Sequence, residues 1–97
     1  MQAELSRKLA LIMGSPLFRY QISKEPDNGD AVRDRLINDC VKADTEANLP
    51  PQIQKIFAQC EASIAEAERL KISYPYDQPG QLETIMGLDK AGDDNAN

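Results

Sequence analysis

The stretch PQIQKIFAQCEASIAEAERLK, residues 51–71, decides the fold. Ile53, Phe57, Cys60, Ile64 and Ala67 recur at steps of four, three, four and three, with Ile56 and Leu70 beside them. That spacing places them on one face of an α-helix. Gln54, Lys55, Gln59, Glu61, Glu66, Glu68 and Lys71 take the remaining faces. No other segment is as long or as regular, so the rest of the chain is expected to pack against this helix.

Working outward, Asn48-Leu49-Pro50-Pro51 separates it from a preceding helix over about residues 30–47. Two prolines fit the first turn of a helix and disrupt its interior. In that preceding helix Val32, Leu36, Cys40 and Ala43 line one face, flanked by Ile37 and Val41. The short connection predicts that the two helices form an antiparallel hairpin.

Towards the N-terminus, Leu5, Leu9, Ile12 and Met13, broadened by Leu11, predict a helix over residues 2–13, with Gly14 suited to a left-handed position after it. Ser15-Pro16 then has the chemistry of an N-cap followed by a first helical residue, which predicts a short helix over 16–23. A strand competes here. Phe18, Tyr20 and Ile22 alternate with polar residues, as do Ile72, Tyr74 and Tyr76, and the two pieces could pair as a ribbon. An isolated ribbon is marginal and Pro75 removes a donor, so the helix is preferred. Residues 24–30 read as a loop, with Asp27 or Asn28 as cap of the next helix. After residue 71 a loop leads to a short helix over 79–86, ended by Gly87. The expected architecture is all-α: three main helices and a short C-terminal one, in a single domain over residues 1–89. Residues 90–97 are expected to form a disordered acidic tail.

Ninety-seven residues, 41% of them hydrophobic, suit one modest core. The net charge is −5 and unevenly spread. Residues 1–25 carry four Lys/Arg against two acids, residues 26–50 three against six, and residues 76–97 one against five. Such a balance disfavours phosphate-rich partners and favours a protein with a basic face. No apolar run is long enough to span a membrane and no secretory leader is visible, so the default compartment is the cytoplasm, with reduced thiols.

The chain has no histidine, which removes the usual general base and the usual metal ligand. Its five glycines are scattered, so no phosphate-cradling loop is present. No metal or cofactor site and no catalytic residues are expected. Cys40 and Cys60 form a candidate thiol pair, at about the same level of the expected hairpin; the alternative is two buried thiols serving as small hydrophobes. Tyr74 and Tyr76, on a proline-stiffened loop, are candidate partner-binding anchors, against packing as a lid. Asp34, Asp39, Asp44 and Glu46 are the candidate acids for steering a basic partner, against serving as a solvated face.

These features predict a non-enzymatic protein–protein interaction module, monomeric or homodimeric. Size and charge are shared with small acidic inhibitors, immunity proteins and accessory proteins, an analogy that no motif carries. One alternative is a nucleic-acid-associated protein using Arg7, Lys8, Arg19 and Lys24 with Phe18 and Tyr20. Another is an accessory subunit that completes an enzyme site in trans.

Overall fold

The computed structural model describes residues 1–25 and 28–88. Five α-helices follow in order: α1 (Ala3–Met13), α2 (Pro16–Ser23), α3 (Gly29–Ala43), α4 (Pro51–Arg69) and α5 (Gln81–Met86). A 3-10 turn, Glu46–Asn48, lies between α3 and α4. No strand occurs among the described residues. The fold is therefore all-α, and residues 16–23 are helical. The expected disordered tail, 90–97, and the candidate cap Asp27 lie outside the described residues.

The start of α2 shows why helix wins over strand there. Pro16 occupies its first position and has no N–H to satisfy. The Phe18 N–H donates to the Ser15 hydroxyl at 3.3 Å, and the Arg19 N–H to the Ser15 carbonyl at 3.0 Å. Ser15 is completely buried, and its hydroxyl donates to the Ile12 carbonyl at 2.6 Å. The Leu17 N–H goes to a different helix: it donates to the Ser63 hydroxyl of α4 at 3.1 Å. Ser63 in turn donates to the Cys60 carbonyl. The α1–α2 corner is thus seated on the middle of α4.

Around that seat lies the main core: Leu5, Leu9 and Ile12 of α1, Phe18 of α2, Leu36 and Cys40 of α3, Leu49, and Phe57 and Cys60 of α4. The stripe of the central helix is confirmed at Phe57, Cys60 and Ala67, while Ile53, Ile56 and Ile64 are half-buried at its edges. On α3, Leu36 and Cys40 point inward, but Val32 and Val41 are exposed. The close neighbours of α4 are α1, α2 and α5; those of α3 are α1, α2 and the 3-10 turn. Neither α3 nor α4 has the other among its closest neighbours.

Three boundaries differ from expectation for local reasons. Helix α3 stops at Ala43 rather than 47, because Asp44 takes a positive φ of 68°. The chain then folds into the 3-10 turn and drops Leu49 into the core. Gly14 is not left-handed: its φ is −94°, since the chain continues directly into the Ser15 cap of α2. Helix α5 begins at Gln81, between Gly80 and Gly87, whose φ values of 82° and 79° only glycine adopts without strain.

The end of α4 is closed by two backbone bonds, Lys71 N–H to Glu68 carbonyl at 3.0 Å and Ile72 N–H to Ala67 carbonyl at 2.9 Å. This is the Schellman pattern, with Lys71 in the left-handed position at φ 60° and Ile72 packed in the same cluster as Ala67. Ala67, Tyr76 and Ile85, with Leu70, Leu82 and Met86 around them, make a second, smaller core under α5.

A side chain at Lys71 is strained by its backbone. Lys71→Gly is expected to raise stability by about 0.5–1 kcal/mol, and Lys71→Val to lower it by about 1–2 kcal/mol, in urea unfolding. A valine variant as stable as the parent would mean that the chain does not turn left-handed at this residue.

Candidate interaction surface

Two helix faces stand side by side on one flank of the molecule. On α1, Glu4, Arg7, Lys8 and Leu11 follow an i, i+3, i+4, i+7 course. On α4, Glu61, Ile64, Ala65 and Glu68 do the same. They wall a groove of about 670 Å³, with Ile12 at its base. The Lys8 ammonium holds the walls in register. It pairs with Glu61 of α4 at 3.0 Å and with Glu46 of the 3-10 turn at 2.5 Å. Leu11 is 64% exposed on the groove's rim.

The groove continues towards the α4–α5 loop. Ala10, Leu11, Gly14 and Ile64 meet Tyr74 and Tyr76 around an adjoining hollow of about 270 Å³. The two tyrosines have different roles. Tyr76 is 8% exposed and belongs to the second core, and burial raises its hydroxyl pKa. Tyr74 is 66% exposed. Its ring is met edge-on by Tyr76, with centroids 5.7 Å apart at 84°, and carries the Arg19 guanidinium 5.3 Å from its centroid. An alternating extended course would have put both rings on one face. The positive φ of 63° at Tyr76 breaks that course and sends its ring inward.

The candidate acids are not gathered beside the tyrosines. Glu46 is bound to Lys8, and Asp44 lies 3.2 Å from the terminal amino group of Met1. The Asp44 carbonyl also accepts the Gln2 N–H at 2.9 Å. Asp44 therefore sits at the start of α1, whereas Tyr74 lies beside Gly14 at its end, roughly 16 Å away along an 11-residue helix. Asp34 is exposed and Asp39 half-exposed on α3, and neither forms an ion pair among the described residues.

Cys40 and Cys60 are both fully buried free thiols. Burial raises the pKa of each; at Cys60 the nearby Ser15 hydroxyl and Phe18 amide oppose this in part. Both act as core residues with little thiolate at neutral pH.

The basic-aromatic cluster is dispersed. Lys8 is matched by two carboxylates, Lys24 sits 4.9 Å from the centroid of Tyr20, Arg19 covers Tyr74, and Phe18 is in the core. No group of three or more Cys, Asp or Glu side chains among the described residues is placed to hold a metal ion. No helix among them is long and apolar enough to cross a membrane.

The sequence pattern places Ile64 on the α4 stripe and Glu61 and Glu68 on its wet faces, but does not show that α1 and α4 bring them to one surface. Leu11 looked like extra width on the α1 stripe. The available signal was that Leu11 and Ala65 lie off the centre line of their stripes.

No protein-family profile, curated protein or solved structure matches this chain.

The Lys8 pairings raise its pKa above the ordinary 10.5, through the hydrogen bond to Glu46 first and that to Glu61 second. A raised folded-state pKa adds stability that is fully present below the unfolded value and is lost as pH climbs through the folded one. Lys8→Met is therefore expected to cost about 0.5–1 kcal/mol at pH 7 in urea unfolding, with the deficit shrinking above about pH 10.5. A deficit independent of pH would assign the effect to packing of the lysine stem instead.

Proposed function

We propose that this protein is a non-enzymatic binding module whose contact surface is the α1–α4 groove with Tyr74 at its end. One observation carries the proposal: Leu11 and Tyr74, both about two-thirds exposed, flank a continuous apolar channel made by Ile64 and Ala65. Tyr74 has the character of an interface anchor. It is a large amphipathic ring, and its contacts with Tyr76 and Arg19 limit the entropy it loses on binding. Burying Leu11 and Tyr74 against a partner supplies the apolar centre that interfaces need, and the charged groove walls supply the rim.

The partner is a protein with a basic face. The net charge of −5 supports this, as do Glu4 and Glu68 at the groove, which have no ion-pair partner among the described residues. Asp34 and Asp39 remain available for long-range steering. Asp44 and Glu46 serve the fold through their ion pairs. The module acts in the cytoplasm as a small inhibitor, immunity-type or accessory protein.

The test is affinity capture from an extract of the source cell with the full chain as bait, followed by binding measurements on the retained protein. One stoichiometric partner is expected. Tyr74→Ala and Leu11→Asp should each weaken its binding by about 10- to 100-fold, the loss typical of a central anchor. Asp34→Lys combined with Asp39→Lys should slow association and flatten its salt dependence while dissociation stays unchanged. No retained protein, or one indifferent to Tyr74 and Leu11, would remove the proposal.

A further inference from the structure

The groove has a length, a shape and a charge order that together specify what it receives. Each wall spans eight residues, 4 to 11 and 61 to 68, whose seven steps make roughly 10.5 Å or two helical turns. Its apolar strip is Leu11, Ile64 and Ala65. The charges fall in sequence along it. Lys8 and Glu61 satisfy each other. Glu4 stands at one end and Glu68 at the other, with Arg7 between them. These three form no ion pair among the described residues.

Building on the binding role proposed above, we infer that the groove receives a single amphipathic α-helix of a partner protein. That helix presents apolar residues at i, i+3 or i+4, and i+7, and carries a Lys or Arg at each end of the stripe. Two neighbouring helices with an apolar strip between them suit a third helix laid against it, in the manner of helix-in-groove recognition. Basic residues at its two ends meet Glu4 and Glu68, and an acid near its middle is tolerated by Arg7.

Three other occupants fit less well. A second copy related by a two-fold axis across the groove would run in the opposite direction. It would bring its Glu68 to the end held by Glu4 and Glu61, placing like charges together. The chain's own residues 89–97 contain Asp89, Asp93 and Asp94 against Lys90, so they share the sign of both groove ends. An extended peptide finds no sheet edge among the described residues to pair with.

The test uses the folded full chain as bait for a display library of 16-residue helix-forming peptides with randomised faces. Enriched peptides are expected to converge on the apolar spacing above with Lys or Arg at both ends. Their affinity should fall at least tenfold on Leu11→Asp. It should also fall about tenfold for the combined Glu4→Lys and Glu68→Lys chain at low salt, and that second effect should disappear at high salt. Leu11, Glu4 and Glu68 are surface positions, and circular dichroism checks that each variant keeps its helices. No enrichment, acidic ends on the enriched peptides, or binding indifferent to Leu11→Asp would overturn the inference. If the captured cellular partner still depends on Tyr74 while the peptides fail, the binding module stands and its helical ligand falls. If no partner is captured at all, the broader proposal falls with it.

Discussion

The hydrogen bond from the Leu17 N–H to the Ser63 hydroxyl is the contact on which the arrangement of this molecule turns. A helix start leaves its first backbone N–H groups without intrahelical partners, and burying them unpaired costs roughly 1–3 kcal/mol each. The start of α2 is buried, with Ser15 and Pro16 out of solvent. Every donor there is accounted for. Proline supplies none at the first position, Ser63 takes the second, the Ser15 hydroxyl takes the third, and the Ser15 carbonyl takes the Arg19 N–H. Both hydroxyls also donate, so neither is left unpaired in the core.

From that seat the α1–α4 groove follows. With the α1–α2 corner anchored at Ser63, α1 is carried alongside α4, and Ile12, Phe57 and Cys60 close the core beneath. The Lys8–Glu61 pair then sets the register of the two outer faces. Two helices packed through their inner faces leave a trough between their outer ones, and here Leu11, Ile64 and Ala65 form an apolar strip between the charged side chains of Glu4, Arg7, Lys8, Glu61 and Glu68. The Schellman turn at Lys71 brings the chain back over the second core and sets Tyr74 at the end of the trough. The surface is therefore a consequence of how α2 is held.

Local chemistry made the helices legible in the sequence. The 53–70 periodicity, the Ser15-Pro16 start and the paired prolines at 50 and 51 each have a short-range cause, and each marks a helix or helix boundary in the structure. What was not legible depends on partners distant in sequence. Asp44 and Glu46 look like free acids in isolation; Met1 and Lys8 engage them only after folding. Tyr74 and Tyr76 look equivalent until the positive φ at Tyr76 turns its ring inward. Leu49 reads as part of a helix stop, and the 3-10 turn makes it a core residue. Ser63 was within reach, since the steps from Cys60 to Ser63 to Ala67 place it on the buried face. Its role required knowing that a second helix would begin there.

The most direct measurement is native-state hydrogen exchange at the Leu17 and Phe18 amides, read against the amides in the middle of α4. If α2 is seated as described, both exchange with the slowest class, through global unfolding, although they lie in the first turn of an eight-residue helix where fraying is normal. Exchange at the rate of a frayed helix end, with α4 still protected, would show that α2 is not held by Ser15 and Ser63 and would contradict the account at its base.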